Sequence, residues 1–536
     1  MHRAKLSRRQ FLGGVAAASA GLAALRCGGG GEEEAATPQV TTGEPKRGGI
    51  IRMATTAPAL SLDPHTDNTL AAATKPYTYG YLVHVTEWKG LDGDLAEKWE
   101  LVDALDWIFH MRPGVRFHNV PPVNGRPLVA GDVAYSYKRI EVTPGASLTG
   151  WNEWIDKYEA PDDQTFTVHT KKPYAYIFMT LGSPRMAVVP KEAVEEFGDL
   201  KSHMIGTGPF MLKSWDVNQG IEVERNPDYY RSDIPYLDGL NWSIMPDDAA
   251  IQASFRAGRS DVYAASDRLR AESVSSVKGA STQRYLNRLY TVLILNAARV
   301  PAFTDERVRE AVDISLDREA MIQKIHLGDA ELCGPVGPSW DTALPPEEIK
   351  QAYKRDVAKA KQLLTAAGQE DLSFTLVCAS YADNPDRAAI IQQNLQDAGI
   401  RVQLETRELG TWLNDLYAVN YEANTYANLP YVSDDIQLQS HHTKGFNRAM
   451  FFGITDPEVD SLLEQVQTTI DDEARKELAR QVQRKILQRH GPTLTLYEPY
   501  AYLTAYDYIK NYKPGPWGFG MYKFDMWIDK GQASVG

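Results

Sequence analysis

The chain has 536 residues, with 57 Lys and Arg against 70 Asp and Glu, for a net charge of −13. At roughly 150 residues per domain this length holds three or four cores, and so acidic a chain lacks the basic patches that displace counterions from nucleic acid, which excludes that partner. Its 27 Tyr and 11 Trp join a flat apolar face to a polar handle and suit binding clefts as well as cores.

The chain opens on LSRRQFLGG, residues 6–14, and an apolar run of 15 residues from Phe11 to Leu25. A spanning helix needs about 20 apolar residues, so the run reads as a removable export signal. Arg8 and Arg9, between Ser7 and Phe11-Leu12, resemble the twin-arginine signal, which is receptor-read and implies export of a folded protein. Cys27 then stands where a bacterial lipoprotein carries its lipid, although Arg26 departs from the small residue usual there; the alternative is cleavage nearby, after Ala24 for example. The following GGGGEEEAATPQVTTGEPKRGG is too polar and flexible for a core and reads as a tether over 27–47. The first 26 residues hold five Lys or Arg and no acid, so the chain from Cys27 onward sums to −18. Either way the working protein is expected outside the cytoplasm, in the periplasm or lipid-anchored on the outer face of the membrane.

Strands are expected at 50–55 (IIRMAT), 165–170 (TFTVHT), 290–296 (YTVLILN), 374–379 (FTLVCA) and 401–406 (RVQLET). Trp107 to Phe117 reads as a hairpin turning at Pro113-Gly114. Thr304 is expected to cap one helix running through Val308, Val312, Met321 and Ile325 to Gly328. Residues 356–368 form a second helix with an acidic start and a glycine finish. A third opens on the capping box Thr455 and Glu458, and 472–490 forms a fourth with its basic residues late, matching the helix dipole. Cys333 and Cys378 are expected as buried free thiols, with a disulfide as the alternative in an oxidising compartment. Intermixed strands and helices give an α/β or mixed class.

GGIIRMATTAPALSLDPH (48–65), DLAEKWE (94–100), NGRPLVAGDVAYSYKRI (124–140), GTGPFMLKSW (206–215), ERNPDYYR (224–231), TDERVREAVDISLDREAMI (304–322) and TDPEVDSLL (455–463) resemble, in order, the family 5 extracellular solute-binding proteins, the peptide/nickel-type receptors of ABC importers. The resemblance implies a periplasmic-binding-protein-like bilobed fold with a hinge and an additional third domain: lobe I from 48–90, 205–295 and 505–536, the extra domain at 91–204, and lobe II at 296–504. It implies a monomer that captures a small solute, an oligopeptide or an oligosaccharide, between lobes that close and strip it of water, and that hands it to a permease. In the oligopeptide-binding relatives an aspartate pairs with the peptide ammonium; Asn428 falls at that place within YEANTYANLPYVSDD (421–435), and Asp434 or Asp435 substitutes if the register slips. The cleft candidates are Trp340, Trp412, Tyr426 and Asn428 from lobe II, with His65, Tyr79 and Trp151 opposite; Trp154 is a further aromatic near them.

Other classes find less support. The chain lacks G-x-S-x-G, H-E-x-x-H and a Walker loop, GTGPF is too short for a dinucleotide fingerprint, and Asp247-Asp248 and Asp162-Asp163 sit in turn-like contexts. No enzyme, cofactor or metal is therefore expected; the adjacent pair His441-His442 is the only hint of the nickel branch. An exported enzyme on a similar solute and a receptor for a chemosensor remain the alternatives.

Overall fold

In the computed structural model the described residues are 43–66, 70–86, 90–143, 154–286, 288–428, 433–444, 454–514 and 524–529. The export-signal arginines Arg8 and Arg9, the tether cysteine Cys27 and the cleft candidate Trp151 lie outside them. No described helix is long and apolar enough to cross a membrane.

The first lobe is built on a four-stranded sheet ordered Ile50–Thr55, Gly239–Ile244, Gly220–Arg225, Phe210–Asp216, parallel in its first pair and antiparallel in the rest. Alternation decides its faces: Ile51 and Met53 turn inward while Ile50 and Arg52 turn out. Gly220, at φ +138°, is required as the first residue of its strand, because a Cβ there would meet the Trp242 carbonyl oxygen at 1.8 Å. Beside it, the antiparallel sheet Ala96–Leu101, Asp106–Met111, Thr165–Thr170, Ile155–Asp162 packs one face on the helix Ala130–Val142. Tyr137 meets Phe166 edge-on at 5.5 Å, and Trp107 meets Phe178 at 4.8 Å.

The second lobe centres on a five-stranded sheet ordered Arg401–Arg407, Ser373–Ala379, Ala423–Ala427, Thr291–Leu295, Thr493–Thr495. Every residue of Thr291–Leu295 is buried, as an apolar β-branched run enclosed on both faces requires. Leu293 and Leu295 join one cluster, with Phe303, Val312 and Phe374, while Val292 and Ile294 join another, with Trp412 and Tyr426. Cys333 and Cys378 are buried free thiols.

The two lobes are tied by two crossings. One is the segment from Ala280–Leu286 into Thr291–Leu295; the other is the ten-residue strand Tyr497–Tyr506. That strand pairs with Ala330–Leu332 through its first three residues, and with Ala280–Leu286 and Val262–Ala265 through the rest.

Three local readings are corrected. Trp107 to Phe117 is not a hairpin. Asp106–Met111 already has Ala96–Leu101 on one edge and Thr165–Thr170 on the other; Val115 and Phe117 therefore bond to residues 126–128 instead, with Leu128 N donating to Val115 O at 3.0 Å and Phe117 N to Arg126 O at 3.1 Å. The helix expected from Thr304 to Gly328 is two, Glu306–Ser315 and Arg318–His326, because the Asp317 side chain accepts from Ala320 N at 2.9 Å and starts a new helix. Asp305, not Thr304, caps the first of these, and Asp456, not Thr455, caps Pro457–Thr468. The Asp305 carboxylate accepts from Arg307 N, and that of Asp456 from Glu458 N and Val459 N, the N2 and N3 amides a capping side chain serves.

Candidate functional site

The candidate cleft lies where the crossings meet the wall formed by residues 333–342, 423–428 and 433–442. Arg288, at the end of the first crossing, is held at φ +60° and is buried. Its guanidinium lies 3.4 Å over the Trp340 ring, a desolvated cation–π contact of about 2 kcal/mol. Burial lowers the guanidinium to about 10, against the pull of Glu498, Asp434 and Asp341. The backbone N–H of Arg288 donates to Glu498 Oε1 at 3.0 Å.

Asp434 and Asp435 open the short helix Asp434–Gln439, and both are buried. Thr342 Oγ1 donates to Asp434 Oδ2, and the Asp435 N–H donates to Asp434 Oδ1 at 3.0 Å. Gln467 Nε2 donates to Asp435 Oδ2 at 3.2 Å, whereas Asp435 Oδ1 accepts no hydrogen bond among the described residues. Burial and the charge of Asp434 raise the Asp435 carboxyl to about 7, and burial raises Asp434 as well. Asp435, with one oxygen unmatched among the described residues, attracts positive charge, although the Arg475 charge already acts on both carboxyls.

A strap from residues 172–176 reaches this pair from the other side of the cleft. Ala175 N donates to Gln467 O at 2.8 Å. Tyr174 stacks on Trp154 with ring centres 4.6 Å apart, Lys172 Nζ lies 4.1 Å from the Trp154 ring centre, and Arg475 lies 5.3 Å from that of Tyr176. Burial and the nearby acids raise both tyrosines, so they stay neutral donors.

The residues singled out from sequence divide into two places. Trp412, Tyr426 and Asn428 come together: Trp412 meets Tyr426 edge-on at 5.5 Å and its Nε1 donates to Asn424 Oδ1 at 3.2 Å. The N–H of Asn428 donates to Tyr290 O at 2.9 Å, which brings it beside the first crossing. His65 and Tyr79 lie elsewhere, buried in the core shared by the first lobe and the sheet of residues 96–170. Arg139 Nη1 sits 2.7 Å from His65 Nδ1, so that nitrogen accepts and Nε2 donates to Ala187 O at 2.8 Å. Burial and the Arg139 charge lower this imidazole to about 4.

Sequence reading passed over Arg288, Glu498, Tyr174, Tyr176 and Arg475. One signal was present: Glu498 is the only charge in TLTLYEPYAYL, residues 493–503. Of the acidic pairs weighed as catalytic, Asp247 caps a helix by accepting from Ala250 N at 2.8 Å, and Asp248 accepts from Tyr263 Oη at 3.0 Å. Asp162 accepts from Gln164 N at 2.8 Å. Among the described residues no group of three or more His, Cys, Asp or Glu could hold a metal; burial lowers His441 to about 4, and His442 lies 3.6 Å from Glu464.

Residues 90–450 match the model of a family described as bacterial extracellular solute-binding proteins, family 5 middle. The chain is 26% identical over 470 residues to the periplasmic oligopeptide-binding protein OppA of Salmonella typhimurium, covering 80% of this chain and 83% of that one. It is 25% identical over 526 residues to the oligopeptide-binding protein AppA of Bacillus subtilis, covering 91% and 93%. Among solved structures, the periplasmic binding protein DppA of Helicobacter pylori in complex with the peptide STSA superposes with a TM-score of 0.75 at 24% identity, over 90% of this chain and 99% of that one.

Proposed function

The chain belongs to the family 5 bacterial extracellular solute-binding proteins, and on that premise we propose that its interlobe cleft takes a peptide-like solute with a free amino end and delivers it to the permease of an ABC importer. The relatives named for oligopeptide binding support the class of solute. The observation that carries the reading is the buried pair Asp434 and Asp435, with an Asp435 oxygen that accepts nothing among the described residues. An ammonium placed there supplies the missing donors, and a charge-assisted bond of this kind contributes about 1.5–3 kcal/mol. Asn428, a neutral amide, orients the solute backbone beside the crossing, and Trp340, Trp412 and Tyr426 supply the apolar walls.

We place lobe I at 48–90, 205–286 and 505–536, the extra domain at 91–204 and lobe II from 291, with the crossover within 287–290. This moves the strand Thr291–Leu295 to lobe II, whose sheet it joins. Arg8 and Arg9 direct export, and Cys27 carries the lipid that tethers a monomeric receptor.

Thermal melting against unblocked tripeptides, N-acetylated tripeptides, oligosaccharides and nickel tests the reading. Free-amine peptides at a hundred times their dissociation constant stabilise the protein by about 2.7 kcal/mol; a shift with oligosaccharides alone, or equal shifts with acetylated peptides, overturns it. Arg8→Lys with Arg9→Lys leaves precursor in the cytoplasm, and Cys27→Ser releases the protein from the membrane; fractionation of cells reads both.

A further inference from the structure

Glu498 is the second residue of the strand Tyr497–Tyr506 and is wholly buried, an unfavourable place for a carboxylate unless donors surround it. Its two oxygens serve two different segments. Oε1 accepts from the Arg288 N–H on the first crossing at 3.0 Å. Oε2 accepts from the Ser339 hydroxyl at 3.2 Å and faces the Ser339 N–H at 3.5 Å. Gly337 leaves room for this arrangement, since a Cβ there would meet Oε2 at 2.3 Å. The same stretch carries Trp340, on which Arg288 stacks. Glu498 itself belongs to the second crossing, one residue before Pro499, which brings no N–H to the ladder.

The charged and titratable groups around it are few. The Arg288 guanidinium comes from the first crossing and the buried Cys333 thiol from the wall. Glu331, its register partner on Ala330–Leu332, turns its carboxylate instead to the Tyr500 hydroxyl at 2.8 Å.

We propose that Glu498 is a positioning residue of the closing cleft, a clip whose carboxylate fastens the wall Gly337–Trp340 to both strands that cross between the lobes. Wall and hinge then move as one body, and the Trp340 platform reaches the solute at a set angle. The inference rests on the reading of these crossings as the hinge of a solute-binding cleft. Burial raises the Glu498 carboxyl to about 7. Above that pH the clip accepts with both oxygens; below it one oxygen becomes a donor facing donors, and the wall loosens.

The test uses the ligand-free full chain, so it stands apart from whether any peptide binds. In Glu498→Gln, hydrogen exchange at the Arg288 and Ser339 amides speeds up about tenfold or more after correction for intrinsic rates, as loss of a bond to a charged group implies. Exchange in the strand Ser373–Ala379 stays as in the wild type. The Trp340 fluorescence, isolated by difference against Trp340→Phe, titrates with a midpoint near 7 in the wild type and in Asp435→Asn, is flat in Glu498→Gln and returns in Glu498→Asp. Gly337→Ala, which crowds Oε2, speeds the same two amides and serves if Glu498→Gln does not fold. Unchanged exchange in whichever variant folds, a titration that survives Glu498→Gln, or one lost in Asp435→Asn overturns the proposal. If no peptide stabilises the protein while these results hold, the solute assignment fails and the clip stands.

Discussion

Two buried polar clusters, made of the same ingredients, behave in opposite ways. At the seam between lobe I and the 96–170 sheet, Asp63, His65 and Arg139 are matched: Arg139 meets both Asp63 oxygens, Asp63 also accepts from the His65 N–H at 3.0 Å, and the carboxyl is held below its usual range against the desolvation that would raise it. At the candidate cleft, Asp434, Asp435, Glu498 and Arg288 are equally buried, yet burial wins over their partners and pushes each toward its neutral form. A compensated cluster fixes two elements together permanently. An undercompensated one is held in a state that a charged solute improves, and this is what a capturing surface needs.

The sharpest break in this contrast comes from removing one partner of the matched cluster. Arg139→Ala leaves an uncompensated buried carboxylate and lowers unfolding stability by about 3–5 kcal/mol, read by denaturant titration, with little change in the affinity of the folded protein for peptide. Asp435→Asn does the reverse: it weakens binding of a free-amine peptide by about 1.5–3 kcal/mol in calorimetry, and leaves stability at pH 8 unchanged or raised.

Acid separates the clusters by sign. The Asp435 and Glu498 carboxyls sit near 7 in the folded protein, above their ordinary values of 3.8 and 4.5. The folded state therefore holds more protons between those values, and each group's contribution to stability falls as pH rises through that window, by at most about 1.4 kcal/mol per pH unit. His65, lowered to about 4 from 6.5, acts oppositely: stability is lost as pH falls from 6.5 toward 4. Urea unfolding of wild type, Asp435→Asn and His65→Gln from pH 4.5 to 8 reads both slopes, and Asp435→Asn steepens the loss on acidification. The smallest effect is the coupling between Trp412 and Tyr426, whose edge-on contact is worth about 0.5–1.5 kcal/mol beyond lost area, isolated in thermal melts by a double-mutant cycle of Trp412→Leu and Tyr426→Leu.

How far these features were legible depended on range. The strands Thr291–Leu295 and Ser373–Ala379 were legible because apolar runs declare themselves locally, and Arg401–Arg407 because Val402 and Leu404 alternate with polar residues. The return of Val115 to Phe117 was not, because whether a strand has a vacant edge is decided by residues 50 positions away. Trp412, Tyr426 and Asn428 lie close in sequence and in space, because the helix Leu409–Tyr417 packs Trp412 against Tyr426 on the strand Ala423–Ala427, which ends just before Asn428. His65 and Tyr79 carry the same chemical promise, but an aromatic side chain alone does not say whether a cleft or a core receives it. Arg288 and Glu498 are 210 positions apart, and only the fold makes them neighbours.

The strand Tyr497–Tyr506 is unbroken while its partners change along it. At about 3.3 Å per residue it is a rod some 33 Å long. One continuous ladder therefore carries backbone hydrogen bonds from Ala330–Leu332 to Ala280–Leu286 and Val262–Ala265 with no loop between them.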